Sequence, residues 1–250
     1  MREPTPSPYG TQAEVLQDRL TDPSVNAFEH ELNWPRFQAL LPGDAQRVLD
    51  FGCGPGNFTR ELVVKYPDAQ VVGADAEAAI LPEHGGDALE FLQWDGTMPF
   101  QGESFDLITA KLSLHYVDES LFRPVVVNLV NSLRTGGSMV VSVPHPTVSM
   151  LRNTAKRNEH DAYHLPGFSL TEIGKTGVNA VMTHRKLTDW INPFFTRLKQ
   201  REPYEFFIDE VLDTNGQPRR LNILFMPMNH DKVLELFASI RSLKDQKGVV

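Results

Sequence analysis

Between residues 13 and 41, apolar side chains recur at helical spacing: Val15, Leu16 and Leu20, then Val25, Phe28 and Leu32, then Phe37, Leu40 and Leu41. Pro23 and Pro35 divide this stretch into short helices. After the turn at Pro42-Gly43 the period changes. RVLDFG, residues 47–52, is a continuous apolar run of strand length. FTRELVVKYP then predicts a helix that Asn57 caps and Pro67 ends. Further buried strands are expected at 71–75 (VVGAD), 88–95 (ALEFLQWD), 104–110 (SFDLITA) and 138–144 (SMVVSVP). A helix over 121–133 precedes the last of these, closed at Thr135-Gly136-Gly137 by a left-handed glycine.

Strand, helix, strand at this regular spacing predicts a doubly wound α/β fold, a mostly parallel sheet with helices on both faces. Ligands in such sheets bind beyond the carboxyl ends of the strands. The informative residues are therefore 50–56, 75–76, 95–96, 110–116 and 144–146. From 147 to about 186 the pattern dissolves, which predicts a small cap insertion over the sheet edge. A helix, LTDWINPFFTRLK, follows. FFIDEVLD and RLNILFMP then predict a terminal antiparallel hairpin with Asn215-Gly216 in its connection, and a final amphipathic helix covers roughly 231–243. Residues 1–10, with three prolines, form a loose arm that could close over a ligand at Tyr9.

Composition narrows the classes. A hydrophobic content of 41% and a charged content of 22% are those of an ordinary globular chain. The net charge of −8 argues against broad, phosphate-driven nucleic-acid binding. A single cysteine, Cys53, excludes an intrachain disulfide. The start lacks the apolar core of a signal peptide, and no run approaches the length of a membrane span, so the expected location is the cytoplasm.

VLDFGCGPGNF, residues 48–58, carries the chemistry. A triphosphate-binding loop needs Gly-Lys-Ser/Thr at its end, and here Asn57-Phe58-Thr59 follows the glycines. The dinucleotide fingerprint needs its third glycine where this chain has Asn57. The spacing is instead Gly52, Gly54, Gly56, preceded by Asp50. An acid at the strand end repels a pyrophosphate and suits an ammonium, while the following helix N-terminus favours a carboxylate. A zwitterionic amino acid joined to a nucleoside satisfies both. Asp75, ending the second strand, can accept bonds from both ribose hydroxyls. Asp95-Gly96, after the third, can meet an exocyclic amine of adenine.

VLDFGCGPGNF with GADAE, QWDGTMPFQGESFDLITA and LRTGGSMVVSV, in order over residues 46–146, resembles the class I S-adenosylmethionine-dependent methyltransferases. LSLHYVDE, VSVPHP and THRKLTDWIN are similar to the UbiE-like branch of small-molecule methyltransferases, which shows His-Arg-Thr where this chain has His184-Arg185-Lys186. The resemblance implies a Rossmann-like core over 42–146 that binds S-adenosylmethionine and releases S-adenosylhomocysteine. It also implies a helical lid over 1–41, a substrate cap over 147–190, and the end of the core over 191–250. Asp50, Gly52, Cys53 and Gly54 would face the methionine part. Asp75 would hold the ribose with Ala76 beside the adenine, Asp95 and Gly96 would read the adenine edge, and Ala110 and Lys111 would line the cofactor from the fourth strand.

A sulfonium methyl is already activated, so alignment of the acceptor supplies much of the rate. An acceptor hydroxyl or ammonium must also lose a proton, for which histidine is the usual agent. His115 is the first candidate by the resemblance and His145, between Pro144 and Pro146, the second; His184 is a candidate for substrate binding. His160 and His164 stand four apart without a second acid–histidine pair, so no metal is expected. Residues 150–202 hold nine Lys and Arg against five Asp and Glu, which points to an acidic small-molecule acceptor. Two other readings are open: structural use of the cofactor for a cyclisation or rearrangement, and a nicotinamide oxidoreductase.

Overall fold

The computed structural model describes residues 34–144, 168–173, 179–184, 198–202, 205–212 and 214–226. The N-terminal arm, the expected helices before Trp34, and the final helix lie outside these. The described core alternates α1 (Trp34–Leu40), β1 (Arg47–Phe51), α2 (Asn57–Lys65), β2 (Gln70–Asp75), β3 (Leu89–Gln93), β4 (Phe105–Lys111), α3 (Glu119–Asn131) and β5 (Leu133–Pro144). Later strands are β6 (Phe168–Ile173), β7 (Asn179–His184), β8 (Leu198–Glu202), β9 (Glu205–Leu212) and β10 (Pro218–Met226). The main sheet runs in the order β3-β2-β1-β4-β5-β10-β9-β8. Its first six strands are mutually parallel, while β9 runs antiparallel to both β10 and β8. Strands β6 and β7 form a separate antiparallel pair.

The apolar runs are explained by burial on both faces, since successive strand residues point to opposite sides. Leu49, Ile108 and Val141 pack with Phe122, Val125 and Leu129 of α3. Their chain neighbours Val48, Leu107 and Val140 pack with Phe37 of α1 and Leu62 of α2. At the amino edge, Asp106 ties the strands together. Its Oδ2 accepts from the backbone N–H groups of Gln46 (2.6 Å) and Arg47 (2.8 Å), and its Oδ1 pairs with Arg134. At the carboxyl edge, β1 lies between β2 and β4, so the chain leaves β1 and β4 in opposite directions across the sheet. That reversal opens a crevice at their ends.

Pro35 sits in the first turn of α1, where its missing N–H costs nothing, so a short helix begins there as expected. Local expectations are corrected in three places. Asn57 is the first residue of α2 rather than its cap; the cap position belongs to Gly56, at φ 77°, with no side-chain hydrogen bond. Gly136 does not close α3, which ends at Asn131. It lies inside β5 at φ 77°, where the pairing jumps from Phe105–Leu133 to Leu107–Ser138, and the left-handed residue absorbs the extra length as a bulge. Leu198 and Lys199, expected at the end of a helix, are in strand β8, because pairing with β9 overrides local periodicity.

Candidate active site

The loop after β1 uses its glycines for conformation and for space. Gly52, Gly54 and Gly56 have φ values of 72°, 54° and 77°. A Cβ on Gly52 would fall 2.2 Å from the Cβ of Ser113, so the loops leaving β1 and β4 touch at a point where only glycine fits. Ser113 fastens that contact by donating its hydroxyl to the Phe51 carbonyl at 2.8 Å. The N–H groups of Gly52 and Cys53 both donate to the Ala74 carbonyl, at 2.7 and 3.1 Å. Gly54 N–H donates to Asp75 Oδ2 at 2.9 Å, joining the loop to the end of β2. Burial raises the Cys53 thiol above its ordinary range and the carboxylates of Asp50 and Asp75 push it further, so Cys53 packs as a neutral thiol.

Asp50 stands beneath this loop and is only 2% exposed. Its Oδ2 accepts from Thr59 Oγ1 at 2.7 Å and its Oδ1 from Thr109 Oγ1 at 3.0 Å, so one carboxyl links β1 to α2 and to β4. Burial pushes its pKa up to about 6; the two hydroxyls and the charge of Lys111 oppose the rise, and Asp75 adds to it. A ligand above the loop would therefore meet Asp50 through its field rather than by open contact.

Asp75 is half-buried at the end of β2, with Oδ1 accepting from Glu77 N–H at 3.0 Å, and burial raises its pKa as well. Ala76 is exposed beside it, and its carbonyl accepts from Gln93 Nε2 at 3.0 Å. Beyond β3, Asp95 is exposed and folds back on Thr97, whose N–H and hydroxyl donate to Oδ1 at 2.9 and 2.7 Å. Gly96 is buried against α3, and its carbonyl accepts from Asn128 Nδ2 at 2.8 Å. Ala110 is wholly buried in the α3-side core. Thus Asp50, the glycine loop, Asp75 and Lys111 converge at the β1 crevice, while Asp95 and Gly96 lie farther along the same edge.

Lys111, the last residue of β4, holds its ammonium 5.4 Å from the ring centre of Phe58 and 6.0 Å from that of Trp34. Leu112 follows at φ 54°, a strained value for a residue with a side chain, and its N–H donates to both the carbonyl and the hydroxyl of Ser142. This turn delivers His115 into a short 3-10 segment, Leu114–Tyr116. His115 is buried, its ring 4.0 Å from that of Tyr116 centre to centre. Strand β7 packs against the same segment, so the backbone at His184, at the end of β7, belongs to an element that meets the His115 turn. His145 lies outside the described residues.

Five participants escaped the sequence reading: Thr59, Thr109, Ser113, Trp34 and Phe58. Thr109 had a signal, a hydroxyl inside an apolar strand, since buried polar groups need partners. Thr59, nine residues past Asp50, reaches it only once α2 folds back on β1, and Ser113, Trp34 and Phe58 act through contacts between distant segments that no spacing encodes.

A family model described as a methyltransferase domain matches residues 48–137, from β1 through α3 into β5. Over those residues the chain is similar to that domain. It is 34% identical over 151 residues to trans-aconitate 2-methyltransferase of Deinococcus radiodurans, covering 58% of this chain and 57% of that one. To the enzyme of the same name from Paracidovorax citrulli it is 38% identical over 126 residues, covering 47% of each. The chain thus spans between 47% and 57% of the length of these two curated relatives. Among solved structures, DhpI in complex with SAH aligns with a TM-score of 0.54 at 16% identity, over 78% of this chain and 88% of that one, which shows a common fold.

Proposed function

We propose that this protein transfers a methyl group from S-adenosylmethionine to a carboxylate oxygen of a small-molecule acid. The observation that carries the reading is Asp75 at the end of β2, tied to a left-handed glycine loop at the β1 crevice, with Asp95 farther along the same edge. Asp75 there suits ribose hydroxyls, and Asp95 suits the adenine amine. The name of the relatives and the basic balance of residues 150–202 both favour an acidic acceptor. No described helix is long and apolar enough to cross a membrane.

S-adenosylmethionine supplies a methyl group already activated by its sulfonium. The chain then has three tasks. Asp75 fixes the nucleoside end, and the N-terminus of α2 beyond the glycine loop favours the amino-acid carboxylate. The buried charge of Asp50 favours a cationic ligand above it. The turn at Leu112 and the β6–β7 cap hold the acceptor in line with the methyl group, which supplies the effective concentration the reaction needs. The acceptor oxygen forms its bond to carbon as the carbon–sulfur bond breaks, and the pair of electrons stays on sulfur. A carboxylate is ionised at neutral pH, so no base is needed. In this reading His115, buried against Tyr116, shapes the acceptor pocket and removes no proton.

The test is turnover with S-adenosylmethionine and one acceptor at a time: trans-aconitate, a long-chain fatty acid, a phenol and a primary amine. S-adenosylhomocysteine should form only with an acid, together with a base-labile product one methyl group heavier. Turnover confined to the phenol or the amine would refute carboxylate methylation and return His115 to the role of base.

A further inference from the structure

Asn222 is out of place in its strand. It interrupts the apolar run of β10 between Leu221 and Ile223, and asparagine is a poor strand former. Leu221 and Ile223 are each 1% exposed and pack in the cluster under α3. Successive strand residues point to opposite faces, so Asn222 points to the side that α1 and α2 cover. There it is 7% exposed, and among the described residues its amide takes part in no hydrogen bond. A buried amide without a partner costs stability, so a ligand or a water is expected to answer it.

The strand register limits which ligand. Asn222 lies level with Val140 on β5, Val140 with Thr109 on β4, and Thr109 with Asp50 on β1. Val48, Leu107 and Val140 pack with α1 and α2, and Asp50 and Thr109 follow the first two by two residues, so the whole row shares one face. Asn222 is therefore level with the buried acid under the glycine loop, two strand spacings past Thr109, or about 9–10 Å. Asp75 and Asp95, which suit a nucleoside, lie on the other side of β1, toward β3. The cofactor half of the crevice and the buried amide are thus on opposite sides of β1, and the amide falls to the acceptor. Ser142, on the same face of neighbouring β5, is 3% exposed; its hydroxyl accepts from Leu112 N–H and gives its own proton to no described residue. An amide offers two N–H donors and an acceptor without a charge, so it can receive the oxygens of a carboxylate or a hydroxyl alike.

We propose that Asn222 is a specificity-determining residue that binds the non-reacting oxygen group of the acceptor. The site then takes an acid with a second polar group in preference to a plain fatty acid. The inference rests on the methyltransferase reading given above.

Steady-state kinetics with S-adenosylmethionine compare trans-aconitate, which carries further carboxylates, with a long-chain fatty acid, which carries none. The wild type should favour trans-aconitate in kcat/KM. Asn222→Leu, close to asparagine in shape, should lower kcat/KM for trans-aconitate by roughly ten- to a hundredfold and leave the fatty acid unchanged. Asn222→Ser keeps one O–H donor and should recover part of the loss. Calorimetric affinity for S-adenosylhomocysteine should be the same in all three proteins. Because leucine removes an unpartnered amide, Asn222→Leu should also raise the thermal midpoint of the ligand-free protein by about 2–4 °C. A lower midpoint would make the amide structural and overturn the proposal. Unchanged selectivity in the leucine variant would overturn it at any stability, as would an equal loss with both acceptors or a wild type that favours the fatty acid. A wild type that binds S-adenosylhomocysteine but methylates neither acid would refute carboxylate methylation. One that binds no S-adenosylhomocysteine would refute the cofactor reading, and the inference falls with either.

Discussion

Two aspartates on neighbouring strands show what separates a structural acid from a functional one in this fold. Asp106, at the amino edge, receives two backbone N–H groups and the Arg134 guanidinium, so its charge is answered by protein alone. Asp50, at the carboxyl edge, is the more deeply buried and accepts from two hydroxyls; burial, with a smaller push from Asp75, raises its pKa to about 6. The first staples β1 to β4. The second is a buried charge that the protein answers incompletely, beneath the loop where a cationic ligand would supply the remainder.

Breaking the first should cost the most. Asp106→Ala removes two charge-assisted bonds to backbone and a partly exposed ion pair, and should lower unfolding free energy by about 3–4 kcal/mol in urea titrations. The cofactor affinity of the protein that remains folded should stay the same, because the lesion lies at the opposite edge.

Asp50→Asn should do the reverse. An acid whose folded pKa is raised from 3.8 to about 6 contributes stability below pH 3.8 that is lost as pH rises through 6. Above pH 6 the ionised form is the costly one, at about 3 kcal/mol for a shift of that size. The neutral amide should therefore stabilise the ligand-free protein at pH 8, by about 1–3 kcal/mol, and weaken S-adenosylmethionine binding. A variant less stable at pH 8 than the wild type would remove the distinction between the two acids.

The smallest effect belongs to the hydroxyls. Thr109→Val keeps the shape of the side chain and deletes one bond to Asp50, worth about 1 kcal/mol or somewhat more for a charged acceptor. Without that bond Asp50 should titrate at a higher pH, so the midpoint at which cofactor affinity falls on acidification should move upward. An unmoved midpoint would detach the hydroxyl from the titration.

The same contrast explains what could be read in advance. Asp50 and Asp75 were legible because an acid at a strand end, beside closely spaced glycines, is a pattern within a few residues of chain. Asp106 gave no such sign, since its partners Gln46, Arg47 and Arg134 come from distant segments and two of them contribute only backbone. The parallel core was legible because burial on both faces leaves apolar runs at regular intervals. Gly136 was misplaced because a left-handed glycine serves a helix end and a bulge equally well, and only the register of β4 with β5 decides between them. Leu198 and Lys199 follow a helical pattern and become strand because β9 lies alongside. Thr59 and Thr109 meet at one carboxyl only once α2 and β4 have docked on β1.

The most direct measurement is calorimetric titration of S-adenosylhomocysteine into the wild type and Asp75→Ala at pH 8. Two charge-assisted bonds to the ribose are worth about 2–4 kcal/mol, so the wild type should bind in the micromolar range and the folded variant at least tenfold more weakly. Equal affinity in both proteins, or no binding by the wild type, would contradict the assignment of the β1 crevice as the cofactor site.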